Sequence, residues 1–179
     1  MFTPIIRIIL VISCIGMSIF FYSKNDFTNM AMTILAAGLF AYGYFQYGTV
    51  YAAFNQLKKN NFKKAEKLIA KVKNPRYLAK SHKSYYHFTK GIIAFENGDC
   101  DYGYSELTKA LEIGLRTKND TSIVLLNLAE IEFERKKLKE AEAFLKQLKE
   151  FKLKPLVKVE VDKLIEKINV ERQKTELKN

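Results

Sequence analysis

Apolar positions are crowded into one end of this chain. Pro4 to Tyr22 is apolar but for Arg7 and a few small polar residues, and Met30 to Phe54 holds no charged residue. Ser23, Lys24, Asn25, Asp26, Phe27, Thr28 and Asn29 separate the two runs. As helices they would extend roughly 28 and 37 Å, against a bilayer hydrocarbon core of about 30 Å. The pattern therefore predicts a two-helix transmembrane hairpin over residues 1–54, with spans at about 4–22 and 30–54. Arg7 would snorkel to the headgroups, and Phe20, Phe21, Tyr22, Tyr42, Tyr44, Tyr47 and Tyr51 suit interfacial belts. In the second run Phe40, Tyr44, Tyr47, Tyr51 and Phe54 recur every three or four positions. They form an aromatic stripe expected to meet a membrane partner or a second copy, while Ala41, Gly48 and Ala52 would receive the first helix opposite Ser13 and Gly16.

Charge changes this picture by locating the soluble part and orienting it. Of 179 residues, 30 are Lys or Arg and 19 are Asp or Glu. Residues 55–90 hold 11 of the basic residues against Glu66 alone, whereas residues 91–179 hold 17 of each sign. Lys58, Lys59, Lys63, Lys64, Lys67, Lys71, Lys73 and Arg76 thus form a basic patch just after the second run. By the excess of positive charge on the cytoplasmic side, both termini and the charged domain are expected to be cytoplasmic in an integral protein of a bacterial inner membrane. The patch suits anionic lipid headgroups; with Tyr77, Tyr85 and Tyr86 nearby, RNA or ribosome contact is the alternative. Val11-Ile12-Ser13-Cys14 resembles a lipobox, but a lipoprotein cut there would begin with more membrane-spanning sequence, which favours the hairpin. Cys14 and Cys100, one in an apolar run and one among polar residues, make no disulfide framework.

Within the charged part a period of 38 residues recurs. Phe62, Cys100 and Leu138 fall in step, as do Ala53, Gly91 and Ala129; Leu57, Phe95 and Phe133; Ala65, Gly103 and Ala141; Ile69, Leu107 and Leu145; and Val72, Ala110 and Leu148. Small residues fall where two helices would touch and large ones where they would fill. Gly98-Asp99-Cys100-Asp101, Asn127-Leu128-Ala129 and Leu138-Lys139-Glu140-Ala141 carry a resemblance to the tetratricopeptide repeat, a helix-turn-helix unit. The resemblance covers residues 55–150 and departs from the family at Gly103, at His87 and Leu125 where a Trp is usual, and in four extra residues per unit. It implies an all-α solenoid of about three repeats, with Val157, Val161, Leu164, Ile165 and Ile168 forming one face of a C-terminal capping helix begun by Pro155. The helical domain is expected over 55–172, with a polar tail over 173–179. The back-counted first helix overlaps the second run, so that run would continue into the first repeat, or kink near Asn55.

Candidate chemistry is sparse. His82 and His87 lie on different faces of one helix, no phosphate loop or nucleophile motif occurs, and Asp99 and Asp101 suit a turn cap, so neither an enzyme nor a metal or cofactor site is expected. The resemblance implies a concave groove lined by Tyr85, Phe88, Ile92, Phe95, Ile123, Leu126, Glu130 and Phe133, apolar and without the basic clamp that some family members use for a peptide C-terminus. An amphipathic partner helix would suit it, unless the C-terminal helix or tight curvature fills it. The expected function is a membrane-anchored adaptor that binds another protein, in assembly of or recruitment to a membrane complex. A docking factor for RNA or ribosomes is the alternative.

Overall fold

The computed structural model describes residues 4–47 and 49–176. Among these the chain is all helical. Two helices come first, α1 (Pro4–Ser23) and α2 (Phe27–Tyr47), joined by a short polar turn. Then follow α3 (Val50–Leu57) and α4 (Phe62–Ile69), a 3-10 turn over Pro75–Tyr77, α5 (Lys80–Glu96) and α6 (Cys100–Ile113), α7 (Lys118–Glu134) and α8 (Leu138–Leu148), and finally α9 (Pro155–Glu176).

The 38-residue period is written into the backbone. The helices α4, α6 and α8 begin at Phe62, Cys100 and Leu138, and α5 and α7 begin at Lys80 and Lys118. Each pair turns through a residue of positive φ, and these too are 38 apart: Asn60, Gly98 and Lys136. Their N–H groups donate to Leu57, Phe95 and Phe133, and the next N–H in each case reaches back to Gln56, Ala94 or Glu132. The loose carbonyls that end a helix are thereby satisfied three times in one way. A left-handed backbone suits Gly98 and is tolerated by Asn60, whereas Lys136 adopts it at a steric cost. The pairs α3/α4, α5/α6 and α7/α8 pack side by side, and α9 lies against α7 and α8.

Small residues set the closest approach. A Cβ on Gly91 would lie 2.6 Å from Leu107 Cγ, and one on Gly103 3.2 Å from the Gly91 carbonyl oxygen, so α5 and α6 touch nearly backbone to backbone. Two clusters fill the body. One runs from Val50, Phe54 and Leu57 through Tyr85, Phe88 and Ile92 to Leu128 and Ile131; the other joins Leu126, Leu145 and Leu148 to Val157, Val161, Leu164 and Ile168 of α9. The capping helix extends further than the sequence suggested. Residues 173–176 continue α9, with Lys174 near Glu171, while Glu171 pairs with Lys136 and Arg172 with Glu142 of the body.

The transmembrane expectation is overturned. Among the described residues no helix is long and apolar enough to cross a membrane, and the integral-membrane localisation with its charge-derived orientation loses its basis. The expected second span of residues 30–54 is not one helix. It stops at Tyr47, and α3 restarts at Val50 behind Thr49, whose hydroxyl donates to the Leu68 carbonyl of α4. Val50, Ala53 and Phe54, assigned to lipid by their hydropathy, are buried in protein. The continuation of one helix into the first repeat is excluded by the same break. In α2, Thr28, Asn29 and Thr33 further dilute the apolar run, and Thr33 turns its hydroxyl back onto the Asn29 and Met30 carbonyls.

Candidate binding surfaces

Three regions could hold a partner: the concave face of the body, its basic first repeat, and the hairpin. The groove residues are for the most part spent on packing. Tyr85, Phe88, Ile92 and Leu126 are buried, and Phe95, Ile123, Glu130 and Phe133 are half-buried. The Phe88 ring, 1% exposed, meets the Phe54 ring at 5.4 Å, and Phe54 meets Tyr85 at 4.7 Å. Further along, Leu126, Ile123 and Phe133 pack in the cluster that α9 completes. Large side chains at the would-be groove positions draw neighbouring helices over them, so Phe88 is a core residue and no open groove remains there.

Several buried polar groups are matched across helices. The Tyr85 hydroxyl donates to Asp120, which also accepts from the Thr117 hydroxyl at 2.8 Å, and the Thr117 oxygen in turn accepts the Asp120 backbone N–H and caps the start of α7. Burial and then the Asp120 carboxylate push the Tyr85 phenol well above its ordinary pKa, so it stays a donor. Glu106 is buried between His87 Nδ1 at 2.9 Å and Lys109 Nζ at 2.7 Å. Burial opposes its charge, but the hydrogen bonds from His87 and Lys109 prevail and hold its pKa at about 2. Arg135 ties α7 to α6: it donates to Glu132 at 2.8 Å and to the Cys100 carbonyl at 3.2 Å, pairs with Asp101, and stacks 4.7 Å over the Tyr104 ring. These contacts join helices and repeats, which is structural work. Glu130 stands apart: burial, then Glu160 of α9, raises its pKa.

His82 and His87 are not brought together with other ligands, and among the described residues no group of three His, Cys, Asp or Glu could hold a metal. His82 lies instead against the Tyr47 ring at 4.8 Å and the Tyr51 ring at 6.5 Å. This contact, at the base of the hairpin, is where much of the aromatic stripe ends up. Phe40 is half-buried, Tyr47 and Tyr51 lie on either side of the helix break, and the Tyr44 side chain lies outside the described residues. The stripe is thus not one face of one helix. The small-residue face also differs from expectation. Gly16 and Ser13 are exposed, with nothing within 4 Å of a Cβ built on Gly16, and Gly48 lies outside the described residues.

The basic segment lies on the surface. Lys58, Lys59, Lys63, Lys64, Lys67, Lys71, Lys73 and Arg76 are all exposed, Lys58 resting its ammonium 4.4 Å over Phe54. Two clefts open on the body. One of about 230 Å³, between the first and second repeats, is lined by Glu66, Ile69, Lys90, Ile93 and Tyr102 among others. The other, of about 370 Å³, lies between α8 and α9 and is lined by Leu145, Leu148, Phe151, Leu153, Val161 and Ile165, with Lys149, Lys158 and Asp162. Sequence reasoning missed both; the second depends on Phe151 and Leu153 of the α8–α9 connection, whose course the repeat period does not determine.

The hairpin is unlike either. Ile8, Ile9, Ile12, Ile15 and Ile19 of α1 and Met32, Ile34, Leu35 and Leu39 of α2 are exposed. Among the described residues the two helices pack chiefly on each other, with Tyr47 meeting His82 of α5. No protein-family model, curated protein or solved structure matches this chain.

Proposed function

We propose that this protein is a helical-repeat adaptor of tetratricopeptide type, which binds another protein through its body and holds it in an assembly. The observation that carries the reading is the threefold recurrence, at 38 residues, of helix starts, left-handed turn residues and turn hydrogen bonds. A stack of such pairs offers a long, rigid surface whose side chains vary while its frame does not. The large residues at the concave positions move the binding surface to the clefts flanking α6 and α9. Buried Tyr85, Glu106 and Asp120 are consumed in joining helices, which supports a binding role over a catalytic one.

A second reading rests on the exposed lysines of α4 with Tyr77 beside them: a docking factor for RNA or ribosomes. Capture of partners from a cell extract by the full chain, with and without nuclease and at rising salt, separates the two. Protein partners that persist after nuclease and at high salt support the adaptor. Capture that vanishes with nuclease and falls steeply with salt supports the second reading and removes the first.

A further inference from the structure

Among the described residues, 22 large hydrophobic side chains are exposed, and 16 of them lie in α1 and α2. Monomeric proteins rarely expose apolar patches beyond a few hundred Å² without a partner to cover them. How the residues are arranged says what that partner is. At about 100° per residue, the half-buried Leu10, Val11, Cys14, Ser18 and Phe21 share one side of α1, the side that meets α2. The exposed Ile8, Ile9, Ile12, Met17, Ile19 and Phe20 occupy the remaining arc of about 220°. On α2, the half-buried Met30, Thr33, Ala36, Ala37 and Phe40 mark one side, and Phe27, Ile34, Leu35, Leu39 and Tyr42 spread over the other. A helix that meets a protein on one face has a narrower apolar stripe and a polar back. This hairpin has no polar back.

A second copy would cover one flat side of the hairpin and leave the other bare. It would also bring together two basic segments, each with 11 Lys and Arg against one Glu over residues 55–90. A fluid apolar medium with anionic groups at its edge meets both needs. We propose that lipid of an anionic phospholipid bilayer covers the hairpin, its acyl chains against the outer arcs of α1 and α2 and its phosphates against Lys63, Lys64, Lys67 and Lys71. The turn residues Lys24 and Asn25 are exposed, with Asp26 half-buried beside them, and stay in water or among headgroups. Neither helix need cross the bilayer for this, and the proposal is independent of the adaptor reading, which concerns the body.

The test uses the full chain in mild detergent, diluted into vesicles of phosphatidylcholine alone or with phosphatidylglycerol, followed by flotation. The chain is expected to float with both, to favour the anionic vesicles at low salt, and to stay bound through a high-salt wash. Ile12→Lys with Ile19→Lys, in the outer arc, should lower the bound fraction at least about tenfold on both vesicles. Lys63→Glu with Lys64→Glu and Lys67→Glu should remove only the preference for anionic lipid. Melting of the body, read by circular dichroism, should be unchanged in the isoleucine variant. The proposal is overturned if high salt strips the chain from vesicles, if the isoleucine variant floats like the parent, or if detergent removal leaves a discrete oligomer that ignores vesicles.

Discussion

The hairpin and the repeat body are both rich in apolar residues, yet only the body builds a core. In the body Leu107, Leu128, Ile131, Leu148 and Ile168 are less than 2% exposed, and buried Glu106, Asp120 and Glu132 each have ionic or hydrogen-bonding contacts. In the hairpin Ile12, Ile19, Leu35 and Leu39 are more than 60% exposed. Glycine tells the same story, crowded at Gly91 and Gly103 but open at Gly16 and Gly38. What separates the regions is the spacing of shape. The body alternates small and large residues at a fixed period, so that each helix fits the next. The hairpin repeats Ile, Leu and Phe around the whole helix and fits nothing in particular.

The sharpest way to break this comparison is to place one charge in each region. Phe88→Glu buries a carboxylate among Phe54 and Tyr85 and is expected to cost about 4 kcal/mol or more, enough to unfold the body. Ile12→Glu, on the exposed arc, should move the thermal transition of the body by less than about 0.5 kcal/mol. Circular dichroism melts in mild detergent compare them. Equal loss in the two variants would mean that hairpin and body fold as one unit.

Glycines give a smaller and more local contrast. Gly91→Val drives a branched side chain into Leu107 Cγ and toward the Leu107 backbone nitrogen 3.0 Å from the Cβ, and should cost about 2–3 kcal/mol. Gly16→Val meets open space and is expected within about 0.5 kcal/mol of the parent. If Gly91→Val proves neutral, the contact between α5 and α6 is looser than the structure has it.

Legibility in the sequence divides along the same line. The period was readable because each repeat must present small residues such as Ala53, Gly91 and Ala129 where helices cross, and three copies make the signal additive. The register of helix starts, the turns at Gly98 and Lys136, and the covering of Leu126 by α9 are consistent with it. The hairpin misled because hydropathy is blind to what an apolar residue touches. Phe54 and Val50 count toward a span much as Ile12 does, yet they pack in protein in a separate helix that begins at Val50, a break that no Pro or charge announces. The groove failed for a related reason. Its positions were identified by family geometry, but the volume of Phe88 and Tyr85 decides whether they line a groove or fill it.

Within the α5/α6 pair, the ionic contact of Glu106 tests how much polar matching contributes to the body. Its pKa of about 2 lies below the unfolded value of about 4.3, so its contribution is fully present above about pH 4.3 and is lost as pH falls toward 2. Glu106→Gln should therefore destabilise by about 1–2 kcal/mol at pH 7, with the difference from the parent shrinking in acid. Urea unfolding at several pH values measures it. A difference that stays constant down to pH 3 would show that shape, not charge, is what the site supplies.

Glu130 reverses that sign and gives the smallest effect. It sits half-buried on α7 where α9 packs, and burial raises its pKa, aided by Glu160 of α9 and by Glu96 and Glu134, while Lys167 of α9 acts against the shift. A folded-state carboxyl that holds its proton more tightly than the unfolded one loses stability as pH rises from the unfolded value, about 4.3, through the raised folded value. Above that window the loss is complete and constant. Glutamine cannot ionise, so Glu130→Gln is expected to be more stable than the parent at pH 7, by some tenths to about 1 kcal/mol, and to converge on it below about pH 4.3. The gain should appear as tighter docking of α9, seen as slower amide exchange at Leu164 and Ile168, which pack in the cluster with Leu126. The hairpin, which shares no residue with this cluster, should exchange as before. A glutamine variant that melts lower at pH 7 would mean that Lys167 holds Glu130 more strongly than burial and the three carboxylates oppose it.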